Sequence, residues 1–282
     1  MKLPFVIIFD IDKTIIGDVA HAALEFDVIK YIYNECKKKN ITAKCPEKTI
    51  DIQDALHNGL LRPHIKEFIT FCNNKFKNVE LFVYTNSSHG WTNNVIVNQI
   101  EKALKIKFNK PYFTREHSLP QYEKSLSNTY SDIMKTLSSK YPAINQAKHQ
   151  KLVLDQRLLF IDDIPYNIYD YPSKQIKCPA YSYYAYYDIY DKIVNEYKIS
   201  PKVFDDKALL EFIGRRDIPI YNVNGSIYQK DKTLVQYQHM YLKRKSDVSR
   251  TDDKFFKNLI KILQKIKVVD DKAIVKINKL LS

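Results

Sequence analysis

Pro4-Phe5-Val6-Ile7-Ile8-Phe9-Asp10-Ile11-Asp12-Lys13-Thr14-Ile15-Ile16-Gly17 is the stretch around which the chain is organised. Phe5 to Phe9 form one run of β-formers that ends on Asp10. A second carboxylate follows at Asp12, with Thr14 behind it. A short apolar run with polar boundaries predicts a strand buried on both faces. Alternation along extended chain puts Asp10 and Asp12 on the same side, just past the strand's end. In open α/β sheets that edge is where ligands bind. Two neighbouring carboxylates repel unless a cation or a shared proton relieves them, so the stretch asks for a metal. Taken alone, Asp-x-Asp-x-Thr would also suit a solvated turn after a strand. The rest of the chain has to decide.

Two further apolar runs decide it. Val79-Glu80-Leu81-Phe82-Val83-Tyr84 ends on Thr85-Asn86-Ser87-Ser88, and Arg157-Leu158-Leu159-Phe160-Ile161 ends on Asp162-Asp163. Between the runs lie helical patterns. One occupies residues 20 to 39 and closes on three lysines. Another opens at Arg62-Pro63 and runs through Ile65, Phe68, Ile69 and Cys72. A third spans Trp91 to Lys105, and residues 131 to 156 are helical in part, broken at Pro142. Proline suits a first helical turn, and basic residues suit a last one. Strand, polar end and helix in repetition imply parallel βαβ units. Three buried strands therefore deliver carboxylates, hydroxyls and amides to one edge.

Composition narrows the class. The 282 residues are 45% hydrophobic, enough for a sizeable core, and carry a net charge of +13 with a pI near 9.3. That balance favours an acidic partner such as nucleic acid or a phosphopeptide. Cys36, Cys45, Cys72 and Cys178 have no zinc-like spacing, so free thiols in a reducing compartment are expected. The apolar run at the N-terminus is too brief for a signal peptide, and no stretch approaches the roughly 20 apolar residues of a membrane span. A soluble, intracellular protein is expected. Six tyrosines crowd residues 181 to 190, where they would pack against the sheet edge or grip a ligand. Beyond Pro201 the pattern changes: a short helix at Ala208 to Ile213, irregular or β-like chain to Tyr237, and a turn at Asn224-Gly225. Residues 241 to 282 hold 12 Lys and Arg against 5 Asp, a net +7. Phe255, Leu259, Leu263 and Ile266 make that segment an amphipathic basic helix, either bound to an acidic partner or docked on the domain with its lysines in water.

The three strand ends are what phosphoryl transfer through an aspartate requires. One carboxylate attacks phosphorus, and a second protonates the leaving oxygen and later activates water. A cation and a lysine neutralise the transferring group. At this point the chain resembles the haloacid dehalogenase superfamily of phosphohydrolases, through Asp10-Ile11-Asp12-Lys13-Thr14, Thr85-Asn86 and Asp162-Asp163. Within it, the chain is similar to phosphatases of the RNA polymerase II C-terminal domain, the NLI-interacting-factor-like family. That likeness rests on Leu61-Arg62-Pro63 leading into Glu67-Phe68, on Arg115-Glu116-His117 followed by Tyr122, Lys124 and Leu126-Ser127, and on Asp162-Asp163-Ile164-Pro165. It covers residues 4 to 195.

The resemblance implies a Rossmann-like parallel sheet flanked by helices, an α/β fold without a large cap; the change of pattern beyond Pro201, outside the resemblance, adds a smaller C-terminal extension. The division expected is a phosphatase domain over residues 1 to 200 and a basic accessory region with an amphipathic helix over 201 to 282. Asp10 becomes nucleophile and Mg²⁺ ligand; Asp12 becomes general acid/base, with its backbone carbonyl also at the metal. Thr14 supports the loop, and Thr85 binds phosphate with Asn86 beside it. Lys124 pairs with the nucleophile. Asp163 ligates Mg²⁺ directly or through water, and Asp162 ligates or orients. The family's segment 115 to 117 is a strand. Lys13 stands where the family usually has an acidic or small residue. The interval from Lys124 to Asp162 is longer than the family pattern, which leaves Lys148 and Lys151 as rivals for the lysine. The interval from Gly17 to Leu61 is enlarged as well. The function this implies is a Mg²⁺-dependent phosphatase of phosphoserine or phosphothreonine in a protein such as a polymerase tail. Two alternatives stand beside it: a nucleic-acid 3′-phosphatase, suggested by the charge, and a non-catalytic scaffold with the same fold.

Overall fold

Phe5–Phe9 (β1) is buried along its whole length, which is why it reads as an unbroken apolar run rather than an alternating one. The computed structural model describes residues 3–17, 34, 37–38, 52–120, 123–181 and 253–282. Val79–Val83 (β2) pairs with β1 in parallel, Phe5 opposite Val79 and Phe9 opposite Val83. Leu158–Asp162 (β3) flanks β1 on its other side, with Val6 opposite Leu158 and Phe9 opposite Ile161. Gln175–Lys177 (β4) adds to β3, so the parallel sheet runs β2-β1-β3-β4. The α/β class and the parallel sheet flanked by helices are thus as expected. The short fourth strand was not foreseen, because Gln175-Ile176-Lys177 is not an apolar run.

Alternation along β1 sends its side chains to two helical layers. Val6 and Ile8 pack with Phe82, Tyr84, Phe113, Phe160 and the buried stripe of Leu126–Lys140, whose Leu126, Ile133, Met134 and Leu137 are in the core. Phe9 points the other way, towards Phe68 of Ile65–Phe76 and Phe256 of Phe255–Gln264, at ring-centroid distances of 6.2 and 6.4 Å. With Val97–Leu104, Ala147–Gln156 and Asp271–Leu281, these helices are named in chain order α1 (Ile65–Phe76), α2 (Val97–Leu104), α3 (Leu126–Lys140), α4 (Ala147–Gln156), α5 (Phe255–Gln264) and α6 (Asp271–Leu281). α2 continues from a helical turn at His89–Trp91 and a π-helical one at Thr92–Ile96. The break expected at Pro142 is a 3-10 turn, Pro142–Asn145, between α3 and α4.

The basic C-terminal segment is helical over Phe255–Gln264, ending before Ile266. In α5, Phe255, Phe256, Leu259 and Leu263 are buried, and Phe256 lies 5.1 Å from Phe68 of α1. Lys257, Lys261 and Lys265 stay in solvent, so the helix docks on the sheet unit by its apolar stripe. α6 follows, capped by the Asp270 carboxylate on the Ala273 amide at 2.8 Å.

The chain divides into two units. The first comprises Met1–Gly17, Leu56–Ser182 and Asp253–Ser282 and holds the sheet; the second comprises Asp18–Ala55 and Tyr183–Asp252. Of the second, the described residues include the short helix Ile52–Ala55. The helix expected over 20 to 39 and the tyrosine run after Tyr181 fall largely outside the described residues, and the elements expected over 201 to 240 fall wholly outside them. Among the described residues, no helix is long and apolar enough to cross a membrane.

Candidate active site

Parallel pairing puts the carboxyl ends of β1, β2 and β3 at one edge, and the chain leaves each strand through polar residues there. Asp10 follows β1 directly and is buried; its amide donates to the Ile161 carbonyl at 2.9 Å. After it the backbone turns, with the Ile15 amide on the Ile11 carbonyl at 2.9 Å and Lys13 at φ 59°. This left-handed conformation is uncommon for a residue other than glycine. The turn is held from outside: the Tyr181 amide donates to the Lys13 carbonyl at 2.7 Å, and the Arg62 amide to the Ile15 carbonyl at 2.9 Å.

Lys124 ties the strand ends together. Its Nζ donates to Asp10 Oδ1 and to Asp162 Oδ2, each at 2.6 Å, and the side chain is only 1% exposed. The rivals Lys148 and Lys151 are exposed on α4. Lys124 arrives from just before α3, and its backbone is clipped on both sides. Its amide donates to the Asn167 carbonyl and its carbonyl accepts from the Tyr169 amide, both at 2.9 Å. The start of α3 is fixed by Asp170, which accepts from Ser125 Oγ and from the amides of Leu126 and Ser127 at 2.8 to 2.9 Å. Burial works against the Asp170 charge, yet these hydrogen bonds outweigh it and hold the carboxyl below its usual range.

Asp12 meets the hydroxyls that follow β2. Ser87 Oγ donates to Asp12 Oδ2 at 2.7 Å, and Thr85 Oγ1 lies 3.5 Å from the same oxygen. Thr85, expected from the resemblance to bind phosphate, lies beside Asp12. Ser87 is an addition; the hydroxyl-rich run after β2 is the only signal that pointed to it. Asn86 faces elsewhere: its Oδ1 accepts from Ser118 Oγ at 2.8 Å, and its carbonyl from Arg115 Nε at 2.9 Å. The Arg115–His117 segment that carries those contacts is one turn of 3-10 helix rather than a strand, because Thr114 and His117 close a capping box around it.

Asp10, Asp162 and Asp163 each offer an oxygen within 4.8 Å of the others. Asp162 also accepts from Asn167 Nδ2 and the Ile164 amide, both at 2.8 Å. Asp163 leans on Thr14, whose Oγ1 accepts from the Asp163 amide at 3.1 Å and lies 3.5 Å from Asp163 Oδ1. Thr14 thus supports the ledge of Asp163. The electrostatics are those of a site short of positive charge. Burial pushes Asp10 well above its ordinary range, and Asp162 and Asp12 add to this while Lys124 only partly offsets it. Burial, with Asp162, raises Asp163 from 3.8 to about 6, against a smaller pull from Lys124 and Lys13. Burial also disfavours the charge on Lys124, but Asp10 and Asp162 outweigh it and keep the ammonium protonated. Three carboxylates that one ammonium cannot satisfy fit a hard divalent cation.

A stability prediction follows from Asp163. Its folded pKa of about 6 lies above its ordinary 3.8, so the folded state holds the proton more tightly than the unfolded one. Such a group subtracts stability as pH rises through that window, and the penalty is complete above about pH 6. With chelator present, Asp163→Asn is expected to be more stable than the parent at pH 7. Its advantage should shrink as pH falls from about 6 towards 4. Urea unfolding at several pH values reads this out, and an advantage that grew on acidification would contradict it.

The model of the family described as NLI interacting factor-like phosphatase matches residues 5–198. No curated protein matches the chain. Two solved structures are similar to it. One is Fcp1, an essential RNA polymerase II CTD phosphatase, at 13% identity and a TM-score of 0.36, covering 98% of this chain and 70% of that one. The other is a variant of the fission yeast RNA polymerase II CTD phosphatase Fcp1 bound to beryllium fluoride, at 14% identity and a TM-score of 0.32, with the same coverage.

Proposed function

The chain belongs to the NLI interacting factor-like phosphatase family, and we propose that it hydrolyses phosphoserine or phosphothreonine in a protein through an aspartyl-phosphate at Asp10. The observation that carries this reading is the division of labour between two carboxylates. Asp10 is buried against the Lys124 ammonium, while Asp12 accepts from Ser87 Oγ and lies 3.5 Å from Thr85 Oγ1 at the end of β2. Nucleophile and acid/base need such different settings.

Asp10 attacks phosphorus, and the bond from phosphorus to the ester oxygen breaks. The departing oxygen takes its proton from Asp12. In the second half, Asp12 removes a proton from water, whose oxygen attacks phosphorus and releases inorganic phosphate with Asp10 restored. Lys124 offsets negative charge on the nucleophile and on the transferring group. Thr85, beside Asp12, lines the phosphate side, and Thr14 supports the loop from behind through the Asp163 amide. Asp10, Asp162 and Asp163, together with the backbone at Asp12, would hold a Mg²⁺. When bound, that ion would neutralise phosphoryl oxygens and relieve the crowded carboxylates.

A polypeptide substrate is supported by the loop after Asp163. Ile164 and Tyr166 are exposed there, at 51% and 69%, and Lys177 lies 4.7 Å from the Tyr166 ring centroid. Apolar and aromatic surface beside the carboxylates suits side chains flanking a phosphoresidue. A phosphoserine peptide with the heptad repeat of a polymerase tail is expected to be hydrolysed in Mg²⁺ with a kcat/KM at least about tenfold above that of a 3′-phosphorylated oligonucleotide. The reverse preference, weakening steeply with salt, would assign the site to nucleic-acid ends instead.

A further inference from the structure

We propose that Asp253, which lies outside the residues matched by the family model, is a positioning residue for the nucleophile loop and acts through Arg62. The proposal rests on the reading that the Asp10 loop is catalytic. Arg62 precedes α1, is buried, and uses its planar fork in two directions. On one side Nε donates to Asp253 Oδ1 at 3.2 Å and the second terminal nitrogen to Asp253 Oδ2 at 2.9 Å. On the other, the first terminal nitrogen reaches the carbonyls of Lys13 and Thr14, both at 3.4 Å. Those carbonyls belong to the turn between Asp12 and the Asp163 ledge, where Lys13 holds its left-handed conformation.

The Arg62–Asp253 contact is bidentate, the geometry in which a guanidinium has least freedom to swing. Asp253 is itself fixed, since its Oδ1 accepts from the Phe255 amide at 3.1 Å at the start of α5. The Phe255 ring lies 4.7 Å from the guanidinium carbon, closing the space into which Arg62 would otherwise turn. Without the Asp253 charge the fork loses its anchor, and the two loop carbonyls lose a fixed donor. The turn carrying Asp12 and Thr14 then drifts. Displacements of about 1 Å in a catalytic group cost on the order of 100-fold in rate. Arg62 retains one fork arm and its main-chain bond to Ile15, so a smaller loss is expected.

The test compares the full-length parent with Asp253→Asn, Asp253→Glu and Arg62→Lys, using para-nitrophenyl phosphate in Mg²⁺ and amide hydrogen exchange followed by mass spectrometry. Asp253→Asn is expected to lower kcat about tenfold with KM changed less than about twofold. It should also speed exchange in peptides covering residues 11 to 17 while those covering β2 and β3 stay protected. Asp253→Glu, which keeps the charge, should recover part of kcat. If Asp253→Asn fails to fold by circular dichroism, Arg62→Lys carries the same test, because it keeps the charge and loses the fork. A folded variant with parental kcat and unchanged exchange at 11 to 17 overturns the proposal. A parent inactive on the ester would instead remove the phosphatase reading. Exchange alone then decides the loop linkage, faster exchange supporting it and unchanged exchange overturning it.

Discussion

Asp10→Asn is expected to abolish turnover, by roughly 10⁴-fold or more, while making the metal-free protein more stable at neutral pH. The two effects share one cause. Asp10 is buried at the end of β1, and burial pushes its pKa well up despite the Lys124 ammonium at 2.6 Å. A folded pKa above the unfolded one means that the charged form costs stability, and the cost is present at neutral pH. Asparagine keeps an oxygen for Lys124 to donate to and removes the charge. It also removes the proposed nucleophile, and Asp162 already accepts from Lys124, Asn167 and the Ile164 amide. Sites that store unfavourable charge are stabilised when they are disarmed. Steady-state assays and urea unfolding in chelator would check both halves. A variant that was inactive and also less stable would mean that Asp10 serves the fold rather than the chemistry.

Lys124→Ala has the second large effect, and in the opposite direction for stability. It leaves the Asp10 and Asp162 carboxylates buried without their shared cation. Removing one partner of a buried charge network costs about 3–5 kcal/mol. Activity should fall about 10²–10³-fold, the usual loss when one group that stabilises transition-state charge is deleted. Mg²⁺ should restore part of the stability, because it neutralises the same carboxylates, and less of the rate. Lys148→Ala and Lys151→Ala, on exposed positions of α4, should stay within about 0.5 kcal/mol of the parent. Equal losses for Lys148 or Lys151 would reopen the assignment of the lysine.

Much of this arrangement is readable without coordinates, for a physical reason. Strands buried on both faces are mostly apolar, so Phe5–Phe9, Val79–Val83 and Leu158–Asp162 announce themselves despite Glu80 and Asp162. The polar residues after them then mark the ligand edge. The fourth strand is invisible because three residues with one apolar side chain carry no period. Lys124 was reachable only through family resemblance, since nothing local distinguishes it from Lys148. Its role depends on a backbone bridge to Ile168, far along the chain. Ser87 could be suspected from the hydroxyl run after β2, but Asn167 and Asp253 could not. Each acts through a partner brought near by the fold, and Asp253 meets Arg62 across 191 positions. The 3-10 turn at Arg115–His117 likewise depends on a cap geometry that residue types alone leave open.

The most direct measurement of the central claim is a trap for phosphate on Asp10. In Asp12→Asn, para-nitrophenyl phosphate can still react, because its leaving group departs as an anion and needs little help from an acid. Hydrolysis of the intermediate, which needs Asp12 as base, should stall. Acid-quenched digestion and mass spectrometry should then find phosphate on the peptide that holds Asp10, bound as a hydroxylamine-labile acyl phosphate, with a burst of one product per enzyme. Turnover by Asp12→Asn without phosphate on Asp10, or phosphate on another residue, would contradict the account.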